Sequence, residues 1–309
     1  DLGLLADVTP FPYRLQCEQH KLVGILRDML EGREGVEFRF GVAIGRIAQD
    51  GDTVRVETAA GPVVGSFLVG ADGGRSAVRK SQEIDFVGFT YPERFLVVTT
   101  SRDFENQGFA YTNYISDPEQ WCALFKVPGS TQGGSWRVVS PTAIEEAEED
   151  LLDFTRAQAR VQRLLPQPTP YEIIHTNLYA VHQRVAATFR KGRVLLIGDA
   201  AHINNPLGGM GMNFGIHDAF NLAEKLDMVW HGEDDNILDL FDRQRRHVAD
   251  AFLQTMSIQN KQALEETDPV SREKRLNDMR ATAGDKERAR AYLMRTSMIE
   301  SIRVAASIH

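Results

Sequence analysis

An acidic residue at the end of a short apolar run, followed by a glycine-rich loop, can hold a polyol chain and a flat ring. The stretch Gly192-Arg193-Val194-Leu195-Leu196-Ile197-Gly198-Asp199-Ala200-Ala201-His202 has this form and continues through Pro206-Leu207-Gly208-Gly209-Met210-Gly211-Met212-Asn213. Val194–Ile197 reads as a strand that places Asp199 at its carboxyl end, where open α/β sheets bind ligands. A carboxylate there accepts hydrogen bonds from sugar or polyol hydroxyls. Gly208, Gly209 and Gly211 have no Cβ, so the backbone can approach a flat ring closely. A helix starting near Met212-Asn213 turns unsatisfied N–H groups towards whatever lies in front and favours negative charge there. The plain alternative is a structural strand–turn–helix with a capping aspartate. The ordered run of Ala-Ala-His, Pro206 and Gly-x-Gly-Met-Asn decides against it. His202 is read as a structural histidine, not a base.

A second motif has the same logic. In Gly70-Ala71-Asp72-Gly73-Gly74-Arg75-Ser76-Ala77-Val78-Arg79 a strand over Ser66–Ala71 ends at an aspartate, and a glycine turn leads into a short basic helix start. Alone it is an ordinary turn. Its pairing with the first motif makes it specific.

The elements that must position these motifs are those of an α/β chain with an insertion. Residues Asp1 to Tyr13 are loop-like and read as the middle of a domain. Apolar residues at helical spacing mark a helix over Gln16–Glu31, and Val36–Phe40, Ala43–Ala48 and Val54–Thr58 read as strands, the last two joined at Asp50-Gly51-Asp52. From 84 to 140 the runs Phe95–Thr99, Ala110–Ile115, Cys122–Val127 and Trp136–Val139 alternate with turns, an antiparallel pattern. Thr142 and Glu145 form a capping-box signal for a helix to about Ala159, its acidic first turns a solvated face. Tyr171–Val181 returns as a strand. Beyond Asn213 the chain turns helical: a stripe of Ile216, Ala219, Phe220, Ala223 and Leu226, a long helix over Asn236–Glu266, and another over Lys286–Ala306. The polar stretch Glu265–Asp285, with Pro269, reads as a mobile connection. The division is thus 1–81, an inserted sheet domain over 82–185, and 186–309.

Composition narrows the class. With 309 residues, 42% hydrophobic and 25% charged, the chain can bury a full core. A net charge of −8 without a basic stripe gives no surface for nucleic acid. Two cysteines, Cys17 and Cys122, form neither a disulfide framework nor a metal-ligand spacing. No apolar run reaches the roughly 20 residues needed to span a bilayer, and no signal peptide is visible. The default setting is reducing and cytoplasmic.

Taken together, Gly70–Arg79 and Gly198–Asn213 resemble the FAD-dependent aromatic hydroxylases, flavoprotein monooxygenases that share the p-hydroxybenzoate hydroxylase fold. The order of elements agrees over nearly the whole chain, including the inserted sheet and the helical tail with Arg245-Arg246. The resemblance implies an α/β fold with an α+β insertion: a Rossmann-like FAD-binding domain interrupted by an antiparallel substrate domain. It implies that Asp199 binds the ribityl or ribose hydroxyls of FAD, and that Gly211, Met212 and Asn213 face the flavin pyrimidine. Gln19 matches a glutamine that contacts the cofactor. Asp72 and Gly73 match a motif tied to the pyrophosphates of FAD and NAD(P)H, and Arg184 an arginine that helps NADH or NADPH. Pro206 would lie between flavin and substrate. No side chain is assigned a catalytic role, because the flavin carries the chemistry: it takes a hydride, reacts with O2 to a C4a-hydroperoxide, and passes one oxygen atom to a phenolic or other aromatic ring. Tyr179 and His182 are the substrate candidates on the inserted sheet. Tyr111, Tyr114 and Phe125 are further pocket candidates, and for all five plain packing is the commoner reading.

Two departures stand out. The strand–Gly-x-Gly-x-x-Gly–helix that seats the ADP pyrophosphate does not occur in the sequence, which is the pattern expected of a fragment, a processed form or a chain whose first part is not included. Asn204-Asn205 precede Pro206 and are expected to make the pocket entrance polar. The Trp-x-Trp-x-Ile-Pro run of flavin halogenases is also missing. Two alternatives stay open: a piece unable to bind FAD that serves as an interaction module, and an epoxidase or reductase of the same superfamily.

Overall fold

A computed structural model describes residues 1–129 and 133–309. In chain order it begins with α1 (Gln19–Leu30), β1 (Ile44–Asp50), β2 (Thr53–Thr58), β3 (Val63–Gly65), β4 (Leu68–Gly70) and α2 (Ala77–Ser81). There follow β5 (Phe86–Thr100), β6 (Thr112–Ile115), β7 (Cys122–Val127), β8 (Ser135–Pro141), α3 (Glu148–Leu152) and α4 (Phe154–Leu164). Next come β9 (Ile173–Ala186), β10 (Arg190–Lys191), β11 (Val194–Leu196) and β12 (His202–Ile203). The rest is helical: α5 (Gly211–Trp230), α6 (Ile237–Val248), α7 (Thr255–Glu265), α8 (Pro269–Gly284), α9 (Lys286–Thr296) and α10 (Ile299–Ala306).

The chain divides into two compact units. The first comprises Asp1–Phe38, Tyr91–Val181 and Gln262–Arg290, and the second Arg39–Thr90, His182–Lys261 and Ala291–His309.

In the second unit, β1, β2 and β3 form an antiparallel sheet, with Asp50 opposite Thr53 and Gly51 at φ +53° closing the two-residue turn. A second small sheet has the order β10-β11-β4, and β11 runs parallel to β4. Parallel strands are covered on both faces, so all of Val194, Leu195 and Leu196 is buried. They pack with Phe189, Leu222, Leu238 and Phe241. Gly70 at the end of β4 is required by this packing: a Cβ there would stand 2.9 Å from Val78 Cβ on α2 and 3.0 Å from Leu196 Cδ2.

In the first unit the strand order is β9-β5-β8-β7-β6. Val98 lies opposite Val138, and Val138 opposite Leu124, in antiparallel register. With period two, Leu96, Val98, Leu124, Trp136 and Val138 share one cluster with Val161 of α4 and Tyr171. Phe104 sits at its centre, edge-on to Trp136 at 5.4 Å and stacked on Tyr171 at 5.9 Å.

Several expectations are corrected. Val36–Phe40 is not a strand; β propensity needs a neighbouring strand to pair the backbone. Only Leu68–Gly70 of Ser66–Ala71 is a strand, and it is not fully buried. The Thr142 capping box does not form: Thr142 Oγ1 donates to the Arg94 carbonyl at 3.1 Å, and the helical stretch splits into α3 and α4, where Asp153 caps α4 by accepting from Arg156 N at 2.9 Å. Glu265–Asp285 contains α8, because Pro269 occupies the helix start and Asp268 caps it. Asn236–Glu266 is one helical run, but Ala249–Gln254 within it is a π turn. Lys286–Ala306 is broken at Met298, which has φ +62°. Helix α5 buries Phe214, Asp218, Leu222 and Lys225; of the apolar stripe, Leu226 packs against the core and Ile216 is half-buried, while Ala219, Phe220 and Ala223 are exposed.

Candidate functional site

Because β4 and β11 are parallel neighbours with Gly70 opposite Leu196, both motifs leave the sheet at the same edge, the ligand-binding edge of open α/β sheets. After β4 the chain turns at Gly73 (φ +79°). Asp72 accepts hydrogen bonds from Ser76 Oγ at 2.5 Å, Ala77 N at 2.7 Å and Val78 N at 3.1 Å. Its carboxylate is thus committed to the start of α2. Arg79, the last residue of the motif, is buried and ties the two motifs together. It donates to Ala200 O at 2.7 Å and Gly74 O at 2.8 Å, with Phe86 3.7 Å from its guanidinium carbon. Burial pulls its pKa down, and Asp72 pushes it back up. The motif letter was legible in the sequence; this tie was not.

Beyond β11, Gly198 adopts φ +57° and opens a short 3-10 turn that carries Asp199. Asp199 is exposed, and none of the described residues donates a hydrogen bond to its carboxylate. The protein mass around it still desolvates the group enough to raise its pKa, with His202 pulling it down. Gly215 of α5 presses on the turn: a Cβ there would lie 3.2 Å from Gly198 Cα.

Under the turn lies a charged nucleus. Asp218 is fully buried and accepts from Gly198 N at 2.9 Å, His202 Nε2 at 2.7 Å and Arg245 Nε at 2.6 Å. Burial raises its pKa, but His202 and Arg245 outweigh that and hold the carboxyl below its usual value. His202 spends its Nε2 on Asp218, and its buried Nδ1 has no partner. Asp218 and the role of Arg245 carried no readable signal, since their partners are distant in sequence.

The loop to α5 is held from below. Asn205 is buried, donates through Nδ2 to Gln183 Oε1 at 3.2 Å and Ser257 O at 2.9 Å, and accepts from Leu207 N at 3.1 Å. It is therefore a buttress and not a polar entrance. Pro206 is exposed. Gly209 has φ +64° and open space where a Cβ would be. Helix α5 starts at Gly211 with no side-chain cap, so the N–H groups of Gly211, Met212 and Asn213 end the helix unsatisfied by any side chain. The Asn213 side chain itself donates to Gly209 O at 3.0 Å.

Arg184 donates to Phe86 O at 3.0 Å and Thr90 Oγ1 at 3.4 Å, and His182 Nδ1 meets Thr90 Oγ1 at 2.9 Å. Burial, then Arg184 and Arg75, lower the His182 pKa. The other sequence candidates lie in the first unit. Gln19 is exposed in the first turn of α1. Tyr179 packs edge-on to Phe95 at 5.9 Å, and burial raises its phenol pKa. Tyr111 donates to Glu105 at 3.1 Å, and Tyr114 lies against Phe125. Among the described residues there is no His, Cys, Asp and Glu group that could hold a metal, and no helix long and apolar enough to cross a membrane.

Comparison with known proteins fits this geometry. Residues 4–256 match the family model described as FAD binding domain. The chain is 34% identical over 282 residues to para-nitrophenol 4-monooxygenase from Pseudomonas sp. (strain WBC-3), covering 88% of this chain and 68% of the relative. It is 35% identical over 256 residues to 6-hydroxy-3-succinoylpyridine 3-monooxygenase HspB from Pseudomonas putida (strain DSM 28022 / S16), covering 80% of this chain and 63% of that one. The crystal structure of p-nitrophenol 4-monooxygenase PnpA from Pseudomonas putida DLL-E4 superposes with a TM-score of 0.87 at 32% identity, over 95% of this chain and 75% of that chain. The chain thus spans about two thirds of the length of the curated relatives named.

Proposed function

The chain belongs to the FAD-binding-domain family of flavoprotein aromatic hydroxylases, and on that premise we propose that it forms the ring-facing part of an NAD(P)H-dependent FAD monooxygenase acting on a phenolic or other aromatic substrate. One observation carries the proposal. An open carboxylate at Asp199, a Cβ-free approach at Gly209 and an uncapped helix start at Gly211 all follow the one buried strand β11.

These features fit a flavin. Asp199 is the acceptor for ribityl or ribose hydroxyls, since no protein group competes for it. The Gly211, Met212 and Asn213 amides supply donors and the positive end of the helix dipole to the electron-rich pyrimidine edge. Gly209 lets the backbone approach the ring plane, and the exposed Pro206 offers an apolar face with no N–H on the substrate side. Bound FAD would supply the redox chemistry, by which NAD(P)H and O2 are consumed, one oxygen atom enters the ring and the other leaves as water. The protein binds, orients and excludes water.

Asp72 serves the pyrophosphate side by shaping the loop that presents Gly73, its own carboxylate being engaged on α2. Arg184 is the NAD(P)H candidate; Gln19, as a cofactor contact, rests on the resemblance. Tyr179 and His182 on β9 are the substrate candidates. The functional division is FAD binding by 1–81 and 186–309, and substrate binding by 82–185; the two glycine-aspartate motifs fall in the flanking segments and the inserted sheet between them. A cytoplasmic setting, where reduced nicotinamide is supplied, completes the proposal.

The test is to titrate the purified protein with FAD and follow NADH and NADPH oxidation with 4-nitrophenol and a panel of other phenols. A flavin band with phenol-stimulated oxidation is expected. A protein that takes up no FAD would refute the proposal. FAD uptake without stimulation by any aromatic compound would move it to a reductase.

A further inference from the structure

Helix α5 presents its first amides at Gly211, and two turns later, on the same helix, it carries the fully buried Asp218. The Asp218 carboxylate, carried on α5, grips the turn that bears Asp199. Its Oδ2 accepts from Gly198 N at 2.9 Å, the residue before Asp199, and from His202 Nε2 at 2.7 Å, at the far side of the same turn. Its Oδ1 accepts from Arg245 Nε at 2.6 Å, and Arg245 also donates to Phe214 O at 3.3 Å in the first turns of α5. Gly198 and Gly215 meet directly beside this clamp, so turn and helix have no side-chain padding between them.

We infer that Asp218 is a positioning residue for the cofactor: it fixes the Asp199 turn against the amino-terminal end of α5, so that polyol and ring contacts are made together. The inference rests on the FAD reading above. The physical argument is valence. A carboxylate has acceptor sites for all three donors, whereas an amide must turn an N–H towards one of them. Loss of one grip on Gly198 frees a residue at positive φ to relax, and Asp199 moves with it. Arg245 plays a different part. It supplies the counter-charge that lets a carboxylate stay ionised in the interior, and it reaches α5 at Phe214 O without touching Gly198.

Three variants separate positioning from mere stability: Asp218→Leu combined with Arg245→Leu, Asp218→Asn alone, and Arg245→Lys. FAD affinity is read by visible or fluorescence titration of the apoprotein, and folding by thermal melting. Removing a hydrogen bond to a charged group costs roughly 10- to 100-fold in an equilibrium constant, so the double variant should weaken FAD by that factor and Asp218→Asn by about the lower end of it. Arg245→Lys should melt lower yet keep FAD affinity within about 2-fold, since the grip on Gly198 is intact. If the double variant does not fold, Asp218→Asn against Arg245→Lys carries the same comparison. The inference is overturned if FAD loss simply follows melting temperature across the set, or if a folded variant that has lost the Gly198 contact, as read from the Gly198 amide NMR shift, binds FAD like the wild type. A wild type that takes up no FAD would overturn the cofactor reading itself, and this inference with it.

Discussion

The two units solve the same problem, a buried centre, with opposite chemistry. In the first, Phe104, Trp136 and Tyr171 pack ring against ring between the sheet and α4. In the second, an ionised Asp218 sits among His202, Arg245 and the Gly198 amide, and apolar residues only surround it. An aromatic centre tolerates approximate geometry, because dispersion and hydrophobic burial are not directional. A buried carboxylate does not: each donor must be in place or the charge is stranded. The second unit therefore fixes backbone positions beside Asp199 tightly. That is the property a cofactor cradle needs.

The largest expected effect breaks the charged centre. Asp218→Ala strands Arg245 in the interior, and such losses run to about 3–5 kcal/mol; urea unfolding should show it. Trp136→Ala should cost a similar amount, about 3–5 kcal/mol, by opening a cavity. The conservative exchange Trp136→Phe should recover most of that, whereas Asp218→Asn should not recover its loss. If both conservative variants recover equally, the contrast between the units fails.

Acid sharpens the same contrast. The folded pKa of Asp218 is depressed, so its stabilisation is complete above the unfolded value of about 3.9 and is lost as pH falls through the lower folded value. The aromatic centre has no buried carboxylate among the described residues: Asp103, which accepts from Trp136, and Glu105, whose pKa Lys126 of β7 lowers, are both exposed. Hydrogen exchange on acidification should therefore release peptides spanning Val194–Asp218 before those of β7 and β8. Simultaneous release would contradict the assignment.

A smaller effect tests close approach. Gly70→Ala places a Cβ against Val78 and Leu196, and overpacking of this kind costs about 1–3 kcal/mol. In the first unit, Asp153→Ala removes the true cap of α4 and should cost about 1 kcal/mol. The corresponding Thr142→Ala should leave helix content unchanged by circular dichroism, since Thr142 caps nothing.

That last pair shows what could be read in advance. Strands β5 to β9 and the turn at Gly51 followed from period-two patterning and turn chemistry, which are local. Gly209 was legible because its loop position, at φ +64°, favours glycine. The buried face of α5 was not legible. Its apolar stripe suggested Phe220, but tertiary pairing to His202 and Arg245 draws Asp218 inward instead. The roles of Arg79 and Asn205 were hidden for the same reason: they satisfy carbonyls and amides that only the folded chain brings near. The choice between a Thr142 and an Asp153 cap turned on whether Thr142 was already used by a strand neighbour, Arg94, which no local rule contains.

The central claim is that the edge after β11 is a flavin cradle with Asp199 as its polyol acceptor. The most direct measurement is the FAD dissociation constant of Asp199→Ala beside its melting temperature. Loss of hydrogen bonds to a charged acceptor predicts roughly 10- to 100-fold weaker FAD with unchanged melting of the apoprotein, because no described residue depends on that carboxylate. Wild-type FAD affinity in the variant would contradict the account.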